Sequence, residues 1–566
     1  MSVRIALFAV LASSFITTEA LAQQPQQTPP GGTPATVPTE GRDPAAPTPP
    51  TPPTPPTPPT PDATLTPPPP PPGPPPPPPP PSADPNQPRA VEFASLRILR
   101  DKNLITEEEY QTALHDLGEP MGQRASDANT FVFGRFATTI YGFAEADVMY
   151  HSTQSFNDFA GNSLVAKPGS YAGDHTRTTF TARDSRFGVR VKAPSPAGYS
   201  FTANLEGDFL GSEPGIFQTT GGTAPAAGST NSEAGFFQNP VFRIRHAYFK
   251  AETPVVDFTV GQTWNLLGWQ ATYVPAIVQW PGVVGELYGR SVQVRVSKAI
   301  KLNPITVELA VAALRPAQRD SAIPNGEAGL RLSVDAWSAP HTSFLTSTNI
   351  MPLSVAVTGD VRAFRLPAFN TASAKTGDVN TTTGGAIAID AFIPIIPGSK
   401  TNKDNSLSVT GEFVAGEGIG DQYTGFATGL SALTLPKAAA TDATNPTFNP
   451  TIDPNLVGYD SGGGLRLVRT NTFYVAGEYY VPFVDGRLAI FGGYYSTEIV
   501  NVGTFALTPA ALSAARKLEN MWDVGLFVDA TKNIRIGGDL AFLRDEAADG
   551  NHASHWSAQT SGFFFF

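Results

Sequence analysis

His555-Trp-Ser-Ala-Gln-Thr-Ser-Gly-Phe-Phe-Phe-Phe566 is the stretch that decides the fold. Trp556, Ala558, Thr560, Gly562, Phe564 and Phe566 fall on one side at a period of two. His555, Ser557, Gln559 and Ser561 fall on the other, before Phe563 and Phe565 break the alternation. A period of two is the side-chain repeat of a β-strand. A soluble protein would bury so many rings, whereas a barrel strand ending in an aromatic girdle presents them to the lipid interface. The stretch therefore predicts the closing strand of an outer-membrane β-barrel, paired with an early strand. The alternative is the last strand of a soluble all-β domain.

The rest of the chain bears on that choice. Its 566 residues suffice for a large barrel and an accessory segment. It has no cysteine, which excludes thiolate metal sites, cysteine nucleophiles and disulfides. A net charge of −11 argues against nucleic acid, because phosphate binding needs a basic footprint. Polar residues interrupt every long apolar run past the N-terminus, so no helical span of about 20 residues is expected there. Alternating barrel strands leave no hydropathy peak.

Residues 1–22 read as a secretory signal, with Arg4, an apolar core and Ala20-Leu21-Ala22 before the cleavage point. Residues 23–88 hold more than half of the 56 prolines. Proline fixes φ and lacks the amide donor, so this arm is expected to be extended polyproline II, reaching roughly 200 Å at about 3.1 Å per residue. It reads either as a stiff periplasmic spacer, in contact with peptidoglycan, or as a passive linker. Residues 89–120 carry an apolar stripe and a Thr106/Glu109 capping box. They predict a short helical hairpin, too small to bury a core alone.

Residues 131–566 are the predicted barrel. Alternating segments begin at Thr138–Tyr150, where Glu145 and Asp147 oppose Ala144, Ala146 and Val148. About sixteen such strands follow one another. Long connections come after the odd ones and short turns, such as Asp485-Gly486 and Lys532-Asn533, mostly after the even ones. Leu353–Phe364, Gly384–Ile393 and Ser406–Ala415 are weak in pattern, and Ser338 to Met351 is long for a short-side turn. Lipid cannot hydrogen-bond a strand edge, so the sheet must close on itself. Arginines recurring on one face would be costly in a dry core, and a wet lumen removes that cost.

The expected lumen face presents Arg186, Arg190, Arg243, Arg245, Arg295 and Arg331 from strands two, four, six and eight. Glu145, Asp147, Glu206 and Asp208 come from strands one and three. Facing basic and acidic walls would set a transverse field, and low-dielectric walls focus such fields. The expectation is passage of small hydrophilic solutes, anions such as carboxylates favoured. The alternative is that the charges pair and only keep the lumen wet.

Several stretches resemble Gram-negative porins. Ile140-Tyr-Gly-Phe-Ala-Glu-Ala-Asp147 is similar to the first porin strand and Ser185-Arg-Phe-Gly-Val-Arg190 to the second. Phe242-Arg-Ile-Arg-His-Ala-Tyr248 followed by Gly261-Gln-Thr-Trp264 resembles most the DcaP-like porins. The resemblance implies a sixteen-stranded homotrimer in outer-membrane lipid that passes small solutes. It also implies that Phe566 is an assembly signal and that the third long connection folds inward. That connection carries Trp264, Trp269, Tyr273, Trp280 and Tyr288, with Glu286 expected near the eyelet. The alternative for its aromatics is a lipid-side girdle or trimer contact. The Pro-rich arm departs from the commoner porin pattern.

Catalysis finds no support in the motifs. The seven histidines form no HExxH or other metal-ligand spacing, and there is no Gly-x-Ser-x-Gly elbow or phosphate loop. No cofactor is implied. A second reading stays open, in which the barrel is an anchor and the Pro-rich arm tethers the envelope.

Overall fold

The structure, a computed structural model, describes Leu99 and residues 130–566, except 134, 157–163, 212–240, 279–282, 319–320, 344–345, 370–373, 424–454, 462–463 and 506. The signal, the Pro-rich arm, nearly all of the predicted helical hairpin and Trp280 lie outside the described residues.

Eighteen strands share one antiparallel sheet. Short Thr130–Phe133 pairs only with the first stave, and the second stave is in two pieces, so sixteen staves make the wall. They are β1 Phe136–His151, β2 Arg177–Thr181 with Arg186–Ala193, β3 Ser200–Gly211, β4 Val241–Glu252, β5 Asp257–Trp264 and β6 Arg290–Lys301. Next come β7 Ile305–Leu314, β8 Asn325–Ser343, β9 Thr346–Phe369, β10 Ala374–Ile396 and β11 Leu407–Glu417. The last are β12 Arg469–Tyr480, β13 Leu488–Ile499, β14 Arg516–Asp529, β15 Ile534–Ala547 and β16 His552–Phe565. Each pairs with its neighbours, and β16 pairs with β1 from Phe143↔Phe565 to His151↔Ser557. The expected closed sixteen-stranded barrel is the fold, and no sheet edge is left in the apolar band, as a hydrocarbon environment requires.

Alternation holds along the staves. In β6, Val292 and Val294 are exposed outward while Gln293 is buried inward. In β10, Ile387 and Ile389 face out, whereas Ala388 and Asp390 are fully buried. In β16, Trp556, Phe564 and their set face out. Phe563 and Phe565 do not break the period: they keep it and point inward. There they meet Phe143 at ring-centroid distances of 6.0 and 5.7 Å.

Two segments differ from the sequence reading. Of the three stretches predicted as weak strands, the first two are the two longest staves, β9 with 24 residues and β10 with 23, and the third is β11 with 11. The Asn/Thr-rich start of β10, Ala374–Thr383, lacks apolar alternation, yet β9 and β10 stay paired as far as Phe369↔Ala374. Ladder hydrogen bonds extend a hairpin beyond the apolar band without any hydrophobic pattern. Within the segment read as a turn, residues 338–343 and 346–351 are strand. Pairing between β8 and β9 continues through Ser338↔Pro352 to His341↔Asn349, after a register shift at Val334.

Candidate functional site: the narrowed lumen

The connection between β5 and β6 crosses the barrel interior. Glu327 on β8 accepts from Leu266 N at 2.5 Å and Leu267 N at 3.1 Å. Thr358 Oγ1 on β9 accepts from Gly268 N at 2.7 Å. Glu412 on β11 accepts from Leu287 N at 3.1 Å, and the Tyr474 hydroxyl on β12 donates to the Tyr273 carbonyl. None of these staves neighbours β5 or β6 in the sheet, so the loop has left its own wall for the opposite one.

Packing explains why the loop is apolar. Leu266, Leu267, Ile277, Val284 and Leu287 are buried. Val274, Ile277, Val278, Val283 and Val284 join one cluster with Tyr474, Phe491, Tyr495, Met521, Phe527 and Phe563 on the inner faces of β12–β16. Each such aliphatic side chain gains about 1.5–3 kcal/mol on burial. Gly268 turns the chain at φ 72°, and a Cβ there would lie 2.6 Å from a Glu412 carboxylate oxygen. Only glycine meets both demands.

Glu286, expected near the eyelet, is buried in the loop's packing and does not line the cavity between the loop and the arginines. It is 2% exposed, and neither carboxylate oxygen has a hydrogen-bond partner among the described residues. Its neighbour Gly285 abuts the Ser496 carbonyl on β13. Burial pushes this loop carboxyl up to about 8. Of the other loop residues expected there, Trp269 and Tyr273 are buried, and Trp264 closes β5 beside Tyr288 at 4.4 Å between ring centroids.

The charged side chains of β1–β4 are neighbours rather than facing walls. Arg243 forks onto Asp208, with Nε–Oδ1 2.9 Å and Nη2–Oδ2 2.7 Å. Arg245 donates to Glu206, Asp208 and the Tyr288 hydroxyl, each at 2.9 Å. Arg186 approaches Glu206 at 3.7 Å. Asp147 accepts from Gln559 and Ser561 of β16, and Ser185 accepts from the Glu145 amide. Arg295 braces the loop base by donating to the Trp264 carbonyl at 2.5 Å. Arg190 stacks on Tyr141, its guanidinium 4.9 Å from the ring centre. Arg331 pairs with Glu308 at 2.5 Å and covers Trp269 at 5.2 Å.

Between the loop and the arginines lies a cavity of ≈ 390 Å³. Arg186, Glu206, Arg245, His246 and Trp264 line one side, Ala271, Thr272 and Val274 the loop side, and Arg331, Ser333, His341 and Asn349 the β8–β9 side. Arg186, Arg245, Arg331 and Glu206 thus bound it, while Arg190, Arg243, Arg295, Glu145, Asp147 and Asp208 do not.

His246 and His341 line the cavity unanticipated, for different reasons. His246 follows Arg245 and should point to lipid at period two. The pairing slips between Glu206↔His246 and Gly207↔Ile244, so a bulge turns both side chains inward. No local signal marks it. His341 lies in the segment read as a turn. Glu412, which helps seat the loop, occupies an inward position of a predicted strand, whereas Glu327 lies just before the predicted one, in phase with its inward residue Arg331.

No family model and no curated protein matches the sequence. Among solved structures, the chain is similar to the outer membrane channel DcaP of Acinetobacter baumannii, with 16% identity over 77% of this chain and 99% of that one, TM-score 0.51. An anion-selective porin from Comamonas acidovorans matches at 12% identity over 76% and 100%, TM-score 0.43. Salmonella typhi OmpF matches at 9% over 77% and 100%, TM-score 0.42. The last two are too distant to argue from. The first likeness is one of fold: this chain has the barrel of an outer-membrane porin.

Proposed function

We propose that the chain is an outer-membrane porin, a water-filled channel for passive diffusion of small hydrophilic solutes, with a preference for anions such as carboxylates. The observation that carries this reading is the cavity beside the inward loop, bounded by three arginines and one glutamate. A wet passage between low-dielectric walls magnifies the field of the charges that line it, and arginines lining it favour anions. Arg245 is wholly enclosed and acts on a solute through its field, whereas the Arg331 side chain keeps 27% of its surface accessible. The same reading puts the protein in the outer membrane as a homotrimer, Phe566 serving as its assembly signal.

The test is the reversal potential of the purified protein in a planar bilayer under a potassium chloride gradient. Anion preference is expected, reduced in Arg331→Gln. Cation preference in the unaltered protein would refute the arginine reading. The tether reading concerns residues outside those described. Removing residues 23–117 separates it: conductance is expected to survive, and loss of envelope attachment would give the arm a second role.

A further inference from the structure

We propose that the two arms 338–342 and 348–352 of the β8–β9 hairpin form a second jaw of the passage, opposite the arginines, and that His341 and Asn349 on it select among solutes by size. This rests on the porin reading above and deepens it.

The sheet pairings show where the hairpin leaves the wall. Stave β8 pairs with β7 no further than Val334↔Ile305, and β9 pairs with β10 only from Ser354↔Phe392. Beyond those rungs the two arms pair as strands with each other, Ala339 with Met351 and His341 with Asn349, and at their base the Ser338 carbonyl accepts from Gly398 N of the β10–β11 connection at 2.9 Å. An arm that merely hung below the barrel would meet solvent. Ala339, His341 and Thr342 are instead buried.

Their partners lie across the lumen. The Glu478 carboxylate on β12 accepts from Thr342 N at 3.0 Å. The hydroxyls of Thr342 and Tyr480, also on β12, are 2.6 Å apart. Arg535 on β15 donates to Thr348 Oγ1 at 2.9 Å. Neither β12 nor β15 adjoins β8 or β9, so the hairpin spans the interior from its short-turn end. It also meets the inward loop. His341 Nδ1 lies 3.1 Å from Glu478 and Nε2 lies 2.7 Å from the Val274 carbonyl. The two inward segments therefore brace one another, and His341, Asn349, Met351 and Pro352 complete the cavity wall facing Arg186 and His246.

Passage is limited by the narrowest ring of side chains, so removing one jaw must widen it. The test replaces residues 336–351 by Asn-Gly, which closes β8 onto β9 near the Val334↔Leu353 rung. Single-channel conductance in potassium chloride is expected to rise roughly twofold or more, and the gluconate-to-chloride permeability ratio with it. A second variant covers the case in which that deletion does not fold. The chain has no cysteine, so Asn349→Cys gives one thiol, and a cationic methanethiosulfonate reagent is expected to cut its conductance while leaving the unaltered protein untouched. A folded deletion variant with unchanged conductance and permeability ratio overturns the jaw, and so does a folded, conducting Asn349→Cys barrel whose current the reagent leaves unchanged. Absence of any channel in the unaltered protein overturns the porin reading beneath it.

Discussion

Arg245 and Arg331 bound the same cavity, and their surroundings give them different work. Arg245 is fully buried and satisfies Glu206, Asp208 and Tyr288 at once. Removing one member of such a network strands the others, at about 3–5 kcal/mol. Arg245→Gln is therefore expected to lower the temperature at which the barrel unfolds, read from its heat-dependent mobility shift on gels. Arg331 is partly accessible and pairs with one partner, so Arg331→Gln should shift the reversal potential with little change in that temperature. Equal stability losses would contradict this division. Glu286 makes a separate prediction. Its carboxyl is held neutral to about pH 8 by burial, while an unfolded chain ionises it near 4.5. The unfolded state then binds fewer protons between those values, so stability falls as pH rises from about 4.5 through 8. Glu286→Gln should unfold at a higher temperature than the unaltered protein at pH 8.5 and at a similar one at pH 4. A pH-independent difference would discount the buried carboxyl as its source.

Elements, not residues, hold the seam. Gly142 and Phe566 exchange both backbone hydrogen bonds, at 3.1 and 3.0 Å, where the first and last staves meet. A Cβ on Gly142 would lie 2.2 Å from the Arg186 carbonyl and 3.0 Å from the Phe566 ring. Gly142→Val is expected to forfeit most of the folded, heat-modifiable band on refolding into detergent. Thr560→Val, outward-facing on the same seam, should leave the band intact. A fully folded Gly142→Val protein would show that the close approach is dispensable. The two inward segments obey the same logic of partners. The β5–β6 loop sets its aliphatic side chains on the buried rings Tyr474, Phe491, Tyr495, Phe527 and Phe563, whereas the β8–β9 arms bring polar groups to Glu478, Tyr480 and Arg535.

For the whole molecule the decisive contrast is between its two faces. Val292, Val294, Ile387 and Leu540 stand about half exposed on the outside, whereas the inner face carries buried Glu327, Asp360, Arg362 and Glu412. Outward apolar surface on this scale is unfavourable in water and favourable in lipid. The barrel is expected to stay monodisperse only in detergent or bilayers and to aggregate when detergent is withdrawn. Sedimentation of the detergent-free protein as a compact soluble monomer would sink the membrane reading.

Period-two alternation determined the strands, their inward faces, the parity of long and short connections and hence a closed barrel, because each depends only on residues near one another in the chain. Glu145, Arg186, Glu206 and Arg331 were assigned inward on that ground alone. What only the tertiary structure decided are the meetings between distant stretches. The acids stand beside the arginines, Glu286 is buried away from the cavity, the bulge at Arg245 turns His246 inward, and residues 338–342 and 348–352 cross to β12 and β15. Sequence period states which way a side chain points from its own strand, but what it meets there is set by closure, which brings together walls hundreds of residues apart.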